Sequence, residues 1–363
     1  MFDHAEYRDH ESVHAFHDAA TGLRALIAVH STRLGPALGG CRLWHYEHEA
    51  DALTDVLRLS RGMSLKNAMA ELPIGGGKAV LLGPVAPEAR RDAFLAFGSW
   101  VDSLGGRYQT AEDVGTSVAD MQVVAERTRH VGGLAAGSGT VGGDPSPFTA
   151  LGVLRGIEAA VRAKIKCDSL DGIRVAVQGL GHVGQYLCAE LSARGARLVV
   201  SDVDPARVRK VCESFGAVPE TPDRILAAEA DVLAPCALGA VLNRRTITAL
   251  RVPVVAGAAN NQLADGNAGR LLHERGVLYA PDFVINAGGV ISVAAEQAGE
   301  SSLEQVLADI DRIDTRLTEI FERANQENRS TGVVAEDIAM TRIRAGKAST
   351  NAVATPARAA AHA

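Results

Sequence analysis

At 363 residues, with 37 basic and 43 acidic side chains and a formal net charge of -6, the chain is long enough for two domains, each with its own core, and therefore for a cleft between them. No concentrated Lys/Arg patch offers a field to a polyanion, so nucleic acid is not an expected partner. The start, MFDHAEYRDH, has neither a basic region nor an apolar leader, and no apolar run reaches about 18 residues, so a soluble cytoplasmic protein is expected with no membrane partner.

In chain order, Glu11 to Asp18 is polar. His10, His14 and His17 fall at i, i+4 and i+7, a spacing that could turn three imidazoles to one helix face. No carboxylate-bearing metal motif accompanies them, so a surface helix is expected and no metal. Gly22 to His30 reads as the first strand and as a sheet edge available to another subunit. A glycine-rich loop and strand, Gly35 to Tyr46, leads into a helix from about Glu49 to Lys66, whose apolar face carries Val56, Leu57, Leu59, Met63 and Leu65. Gly75, Gly76 and Gly77 then precede Lys78 and a strand to Leu82; a triple glycine there suggests that backbone and ligand approach closely. A glycine turn with two solvated lysines is the plain alternative.

A Pro-bounded helix, about Pro87 to Leu104, follows. TAEDVGT then places Thr110 to Asp113 at a strand end, with Thr116 or Ser117 capping a helix and Asp120 at the capping-box offset. Val131 to Pro147 is dominated by Gly, Ser, Pro and Ala and reads as a hinge. After a helix from about Phe148 to Lys164 comes the strand IRVAVQ, at once followed by Gly179, Gly181 and Gly184 in GLGHVG, then a helix to Gly195. A second strand, Arg197 to Ser201, ends at Asp202. Alone, G-x-G-x-x-G is weak evidence, but strand, glycines, helix and a later acid form the context that a dinucleotide needs. The acid would hydrogen-bond the adenosine ribose and repel a 2'-phosphate, favouring NAD over NADP. Further alternation, through strands at Asp231, Pro253 and Val277, gives a doubly wound, mostly parallel sheet. Two charged helices, about Ser302 to Asn325 and Ala335 to Arg344, are placed to pack back across the cleft, and the small-residue tail from Ser349 reads as disordered. The five cysteines, odd in number and without a C-x-x-C pair, read as reduced thiols.

A nicotinamide cofactor accepts hydride from a carbon bearing OH or NH2, and the protein must supply a proton acceptor and a substrate anchor. Lys78 can serve as the base once its amine is deprotonated, Lys66, kept charged, can bind a carboxylate, and Asp113 can exchange protons with water and the departing amine.

The runs GGCRLWHY, GMSLKNAM with GGGK, TAEDVGT, DPSPFTALGV, GLGHVG, LAPCALG, AGAANNQLA and YAPDFVINAGG, in this order over about residues 20 to 345, resemble the leucine, valine and phenylalanine dehydrogenase branch of the Glu/Leu/Phe/Val dehydrogenase family. The resemblance implies reversible NAD-dependent oxidative deamination of an L-amino acid to a 2-oxo acid and ammonia; a homo-oligomer is expected from the sheet edge near Gly22 to His30. The resemblance also implies an α/β fold of two domains, with a substrate-binding and oligomerisation domain at 1–135, a Rossmann-type NAD-binding domain at 136–329, C-terminal helices at about 330–348 returning to the first, and the cleft between.

Position by position, Lys66 is similar to the carboxylate-binding lysine, Lys78 to the catalytic base and Asp113 to the proton-shuttling acid. Gly39 and Gly40 line the pocket. Gly179, Gly181, Gly184 and Asp202 fall where the family holds pyrophosphate and ribose; Thr149, Asn260, Asn261 and Asn286 fall where it meets the nicotinamide, its amide or the substrate; and His182, Val183, Cys236, Ala237 and Ala258 are further expected cofactor-binding positions. Leu38, Met63, Ala111, Val290 and Val293 map near the side-chain pocket. All five are apolar, which favours an aliphatic side chain and, without a third cation, disfavours glutamate. Valine or leucine is expected, with phenylalanine or another aromatic amino acid as the alternative and a non-catalytic NAD-responsive protein as the alternative of another class. The chain departs from the family pattern at Cys41, Asp144 and Phe148; Cys41 reads as an inert thiol.

Overall fold

The structure, a computed structural model, describes residues 1–134, 143–237, 239–299 and 302–346. Residues 135–142 of the expected hinge and the whole tail from Ser349 lie outside the described residues.

The first domain is built on a mixed six-stranded sheet. Its strands are β1 (Ser12–His17), β2 (Arg24–Ser31), β3 (Ala37–Leu38), β4 (Cys41–His45), β5 (Gly75–Gly83) and β6 (Tyr108–Gln109), ordered β1-β2-β5-β3-β6 with β4 also paired to β5. Helix α1 (Glu49–Met69) covers one face; α2 (Arg90–Ser103) and α3 (Val118–Ala125) cover the other. Strand alternation sorts the core. Ala28 and Val80 face Val56 and Leu57 of α1, while Ile27, Ala79 and Leu81 face Phe94 and Phe97 of α2. Lys78, two residues before Val80, is thereby turned to the α1 side. The expected capping box forms at the start of α3, where Ser117 accepts from the Asp120 N–H and Asp120 accepts from the Ser117 N–H.

Three expectations are corrected here. The segment expected as a surface helix with His10, His14 and His17 on one face is strand β1, paired antiparallel with β2 from Ser12↔Val29 to His17↔Arg24. Pairing along β2 overrides the helical spacing, so His14 and His17 point to opposite faces. His10, before the strand, is buried with its Nε2 3.0 Å from Ser60 Oγ. Strand β2 is consequently interior, and β1 is the edge of the sheet. Finally, the triple glycine lies within β5. A Cβ on Gly75 would collide with the Ser31 carbonyl oxygen, one on Gly76 with the Ser64 backbone of α1, and one on Gly77 would sit 2.8 Å from the Tyr108 ring. These glycines let β2, α1 and Tyr108 close on the strand, so packing and not ligand approach requires them.

In the second domain, α4 (Ser146–Ile165) precedes β7 (Arg174–Gln178), α5 (His182–Ala193), β8 (Arg197–Ser201), α6 (Pro205–Phe215), β9 (Val218–Pro219), β10 (Val232–Pro235), α7 (Arg244–Ala249), β11 (Val254–Val255), α8 (Gly266–Glu274), β12 (Leu278–Tyr279), α9 (Asp282–Ile285) and α10 (Gly288–Ala298). The strand order β12-β11-β10-β7-β8-β9, all parallel, is that of a doubly wound sheet whose chain reverses direction beside β7. Val175 and Val177 face α4 and α5, while Ala176, Leu233 and Val255 face the core under α7 and α8. Nearly continuous apolar strands are what burial on both faces demands.

The C-terminal helices α11 (Leu303–Glu327) and α12 (Thr331–Ala345) return to the end of α1. Arg316 Nη2 and Arg342 Nη2 approach the Glu71 carboxylate at 3.2 and 3.1 Å, and Arg312 also pairs with it. Arg342 Nη1 donates to the Ala68 carbonyl at 3.2 Å. This contact ties the helix that carries Lys66 to the second domain.

Candidate active site

Lys66 sits in the last turn of α1 and Lys78 in β5, so two rigid elements fix their separation. Between the domains they face a cavity of about 180 Å³ that also exposes Leu38, Gly39, Gly40, Met63, Ala111, Asp113, Asn260, Val290 and Val293. The structure thus brings together every residue expected to meet the substrate. Asn261, Glu112, Asp282 and Phe283 also line it.

Lys78 is 5 % exposed, and its Nζ lies 3.2 Å from Asp113 Oδ2. The same oxygen accepts from Arg42 Nε at 3.0 Å, and Arg42 Nη1 donates to Asp55 Oδ2 at 3.0 Å. Tyr46 OH donates to that Asp55 oxygen at 2.6 Å. The backbone at Asp113 is pinned as well, its N–H donating to Thr116 Oγ1 at 2.9 Å. Burial pushes the Asp113 carboxyl upward, but Lys78 and Arg42 outweigh this and hold it below the usual carboxylate range. Cys41, fully buried beneath, has its thiol pushed up to about 12 by burial, as an inert thiol requires.

Lys66 Nζ donates to Asn260 Oδ1 at 3.0 Å, across the domain boundary. Asn286 Nδ2 donates to that same oxygen at 2.8 Å and to the Ala258 carbonyl at 3.0 Å, which fixes the Asn260 amide. Burial pulls the Lys66 ammonium down to about 8, with Lys78 adding to the effect and Asp282 opposing it. Lys66 therefore keeps its charge only below about pH 8 until an anion joins it, which narrows the expectation of a permanently charged anchor. The Asp282 carboxyl is pushed up by burial, against N–H bonds from Gln262 and Phe283 and the field of Lys66.

The glycine motif lies at the ends of β7 and β8, facing the cleft. Gly179 has φ +97°, and a Cβ there would meet Ala237 at 2.7 Å. A Cβ on Gly184 would strike the Gly179 carbonyl, so this glycine closes helix onto strand, whereas the space beside Gly181 at the start of α5 is open. Asp202 Oδ2 accepts from the Leu180 N–H at 2.6 Å and its Oδ1 from the Asp204 N–H at 2.8 Å, which aims the carboxylate at the glycine turn. His182 and Val183 begin α5; the His182 ring is 80 % exposed, its Nδ1 3.6 Å from Asp144. Cys236 donates its N–H to the Gln178 carbonyl at 2.7 Å, and Thr149 Oγ1 donates to the Pro145 carbonyl at 3.1 Å. Two buried acceptors near this junction, Gln178 Oε1 and Asn286 Oδ1, have no partner among the described residues. An open glycine turn, an aimed carboxylate and unpaired buried amide oxygens fit a dinucleotide with an amide-bearing ring.

Sequence reasoning overlooked the Arg42–Asp55–Tyr46 chain behind Asp113, and Asp282 opposite Lys66. Arg42 and Tyr46 stand within GGCRLWHY and Asp282 within YAPDFVINAGG, but nothing in the linear spacing pairs Arg42 with Asp113.

Residues 10–130 match the model for the Glu/Leu/Phe/Val dehydrogenase dimerisation domain, and residues 144–358 match that for Glutamate/Leucine/Phenylalanine/Valine dehydrogenase. The chain is 46 % identical over 343 residues to a leucine dehydrogenase of Geobacillus stearothermophilus, covering 94 % of this chain and 93 % of that one. It is 44 % identical over 348 residues to a valine dehydrogenase of Streptomyces albus, covering 95 % of each. Its structure is similar to the crystal structure of L-tryptophan dehydrogenase from Nostoc punctiforme, with a TM-score of 0.79 and 41 % identity over 93 % of this chain and 96 % of that one.

Proposed function

The chain belongs to the Glu/Leu/Phe/Val dehydrogenase family, and from that premise we propose how its residues carry out NAD-dependent oxidative deamination of an apolar L-amino acid to its 2-oxo acid and ammonia. Lys66 Nζ binds the substrate carboxylate, replacing its bond to Asn260. This anchors Cα between Lys78 and the second domain, while Leu38, Met63, Ala111, Val290 and Val293 receive the side chain. Gly179, Gly181 and Gly184 hold the pyrophosphate of NAD, with His182 and Val183 at the helix start; Asp202 holds the ribose; and Thr149, Cys236, Ala237, Ala258, Asn260 and Asn286 surround the nicotinamide side. NAD, when bound, accepts the hydride that leaves the substrate Cα.

Lys78 Nζ takes a proton from the water that attacks the resulting iminium carbon. Asp113 carries protons between Lys78 and the departing amine, and ammonia leaves as the carbinolamine collapses. Closure of the two domains keeps bulk water from this sequence. The apolar lining, with Glu112 and Asp282 as further anionic positions, disfavours a substrate with a second carboxylate. We take valine or leucine as the substrate, because Ala111 and Leu38 narrow the pocket. Residues 1–135 form the substrate domain and 136–329 the cofactor domain. A cytoplasmic homo-oligomer is the setting we favour. The match to a dimerisation-domain model supports the oligomer, and no described helix is long and apolar enough to cross a membrane.

The observation that carries this reading is the Lys78–Asp113 pair, 3.2 Å apart, opening into the same apolar-lined cavity as Lys66. NADH formation with a panel of L-amino acids beside 2-hydroxy acids tests it. Signal with valine and leucine is expected; signal with hydroxy acids alone overturns it, and signal with neither favours a non-catalytic NAD-binding protein.

A further inference from the structure

Four glycines line the cavity: Gly39, Gly40, Gly62 and Gly289. For three of them the protein itself supplies the reason. A Cβ on Gly39 would collide with the Gly77 carbonyl oxygen, one on Gly40 would come within 2.5 Å of the Glu112 carbonyl oxygen, and one on Gly289 within 2.5 Å of Thr149 Oγ1. Gly62 is different. A Cβ there meets no heavy atom within 4 Å, and its backbone is not in the left-handed region. It lies inside α1, where glycine is the poorest helix former after proline. Neither packing nor backbone conformation calls for a glycine at this place, and helix stability opposes one.

What the position borders is the cavity. On α1, Leu59, Gly62, Met63 and Lys66 stand at i, i+3, i+4 and i+7, a single face, and all four line the space. Lys66, one turn beyond Gly62, anchors the carboxylate in the reading given above, on which this inference rests. A substrate held there lays its side chain along the α1 wall, over the bare Cα. We propose that Gly62 is a specificity-determining residue, which leaves on α1 the room that the apolar side chain of the amino acid occupies.

The test compares the wild type with Gly62→Ala and Gly62→Val, measuring kcat/KM for 2-aminobutyrate, valine, leucine and phenylalanine, together with the KM for NAD and the thermal midpoint. The kcat/KM ratio of leucine to 2-aminobutyrate is expected to fall about tenfold or more with alanine, and further with valine, as expected when a pocket loses room for a methylene. The KM for NAD should not move, and the alanine variant should melt at the same temperature as the wild type or higher. A uniform loss across the series, unchanged ratios, or a raised KM for NAD with unchanged ratios would overturn the assignment. A wild type that oxidises no amino acid would remove the dehydrogenase reading itself; an active wild type with flat ratios in the variants removes only the role of Gly62. If the valine variant fails to fold, the alanine variant still decides.

Discussion

Lys78 Nζ lies 3.2 Å from Asp113 Oδ2 although the two residues are carried by separate segments of the first domain, β5 and the loop after β6. Arg42 meets the same oxygen at 3.0 Å, so the carboxylate is shared between two cations. Arg42 is in turn held by Asp55. Its role follows: it keeps Asp113 in place and ionised whichever protonation state Lys78 takes.

Arg42→Met should therefore lower kcat by about ten- to a hundredfold with a much smaller change in KM, since a charge-assisted hydrogen bond to an ionised partner contributes about 1.5–3 kcal/mol. Arg42→Lys should recover part of the rate. Steady-state kinetics of both variants beside the wild type check this; a change confined to KM would contradict it.

Lys66 makes a pH prediction. Its ammonium is pulled from an ordinary 10.5 to about 8, so in the free enzyme the charged form dominates below about pH 8 and is lost as pH rises through that value. A carboxylate ligand needs the charged form. The affinity for 4-methylpentanoate, a carboxylate with no amine to oxidise, should weaken progressively above pH 8 and hold steady below it, as read by competitive inhibition. Lys66→Ala should bind the inhibitor weakly and with no such pH dependence.

Asp202 is held at the glycine turn by the Leu180 N–H at 2.6 Å, with the Arg207 guanidinium 3.8 Å from its other oxygen, and in the proposed reading it receives the ribose. Removal of the acid takes away a hydrogen-bond acceptor for the ribose and leaves a cation facing a 2'-phosphate. Asp202→Ala should shift the NAD-to-NADP preference in kcat/KM by at least tenfold towards NADP, about 1.4 kcal/mol.

Glu71 is a joint between the domains. It holds φ +60°, unusual for a residue with a side chain, and receives Arg312, Arg316 and Arg342. The Arg316 side chain is 5 % exposed, so loss of Glu71 leaves a buried guanidinium with, among the described residues, no counter-charge and only the Ala70 carbonyl, at 3.1 Å, to receive it. Glu71→Ala should cost about 2–3 kcal/mol, seen as a lower urea midpoint, whereas the exposed pair Arg251–Glu229 should be removable for well under 1 kcal/mol.

The second domain was legible because its signals are local. The apolar strand IRVAVQ, GLGHVG and Asp202 sit close together in sequence, and the observed β7, α5 and β8 follow them nearly residue by residue. That Lys66, Lys78 and Asp113 share one cavity was legible through the motifs around them. What was missed depends on partners distant in sequence. Strand β1 takes its conformation from pairing with β2, which outweighs the helical spacing of its histidines. The triple glycine answers to Ser31, Ser64 and Tyr108, and Arg42 to an aspartate 71 positions away.

The proposed chemistry depends most directly on Lys78. Turnover of an apolar L-amino acid by Lys78→Ala, measured beside the wild type across a pH series, should be reduced by about two to four orders of magnitude at every pH, the scale of a lost general base, with NAD binding retained. Turnover within a few-fold of the wild type would contradict the assignment of Lys78 as the base and, with it, the mechanism built on its pairing with Asp113.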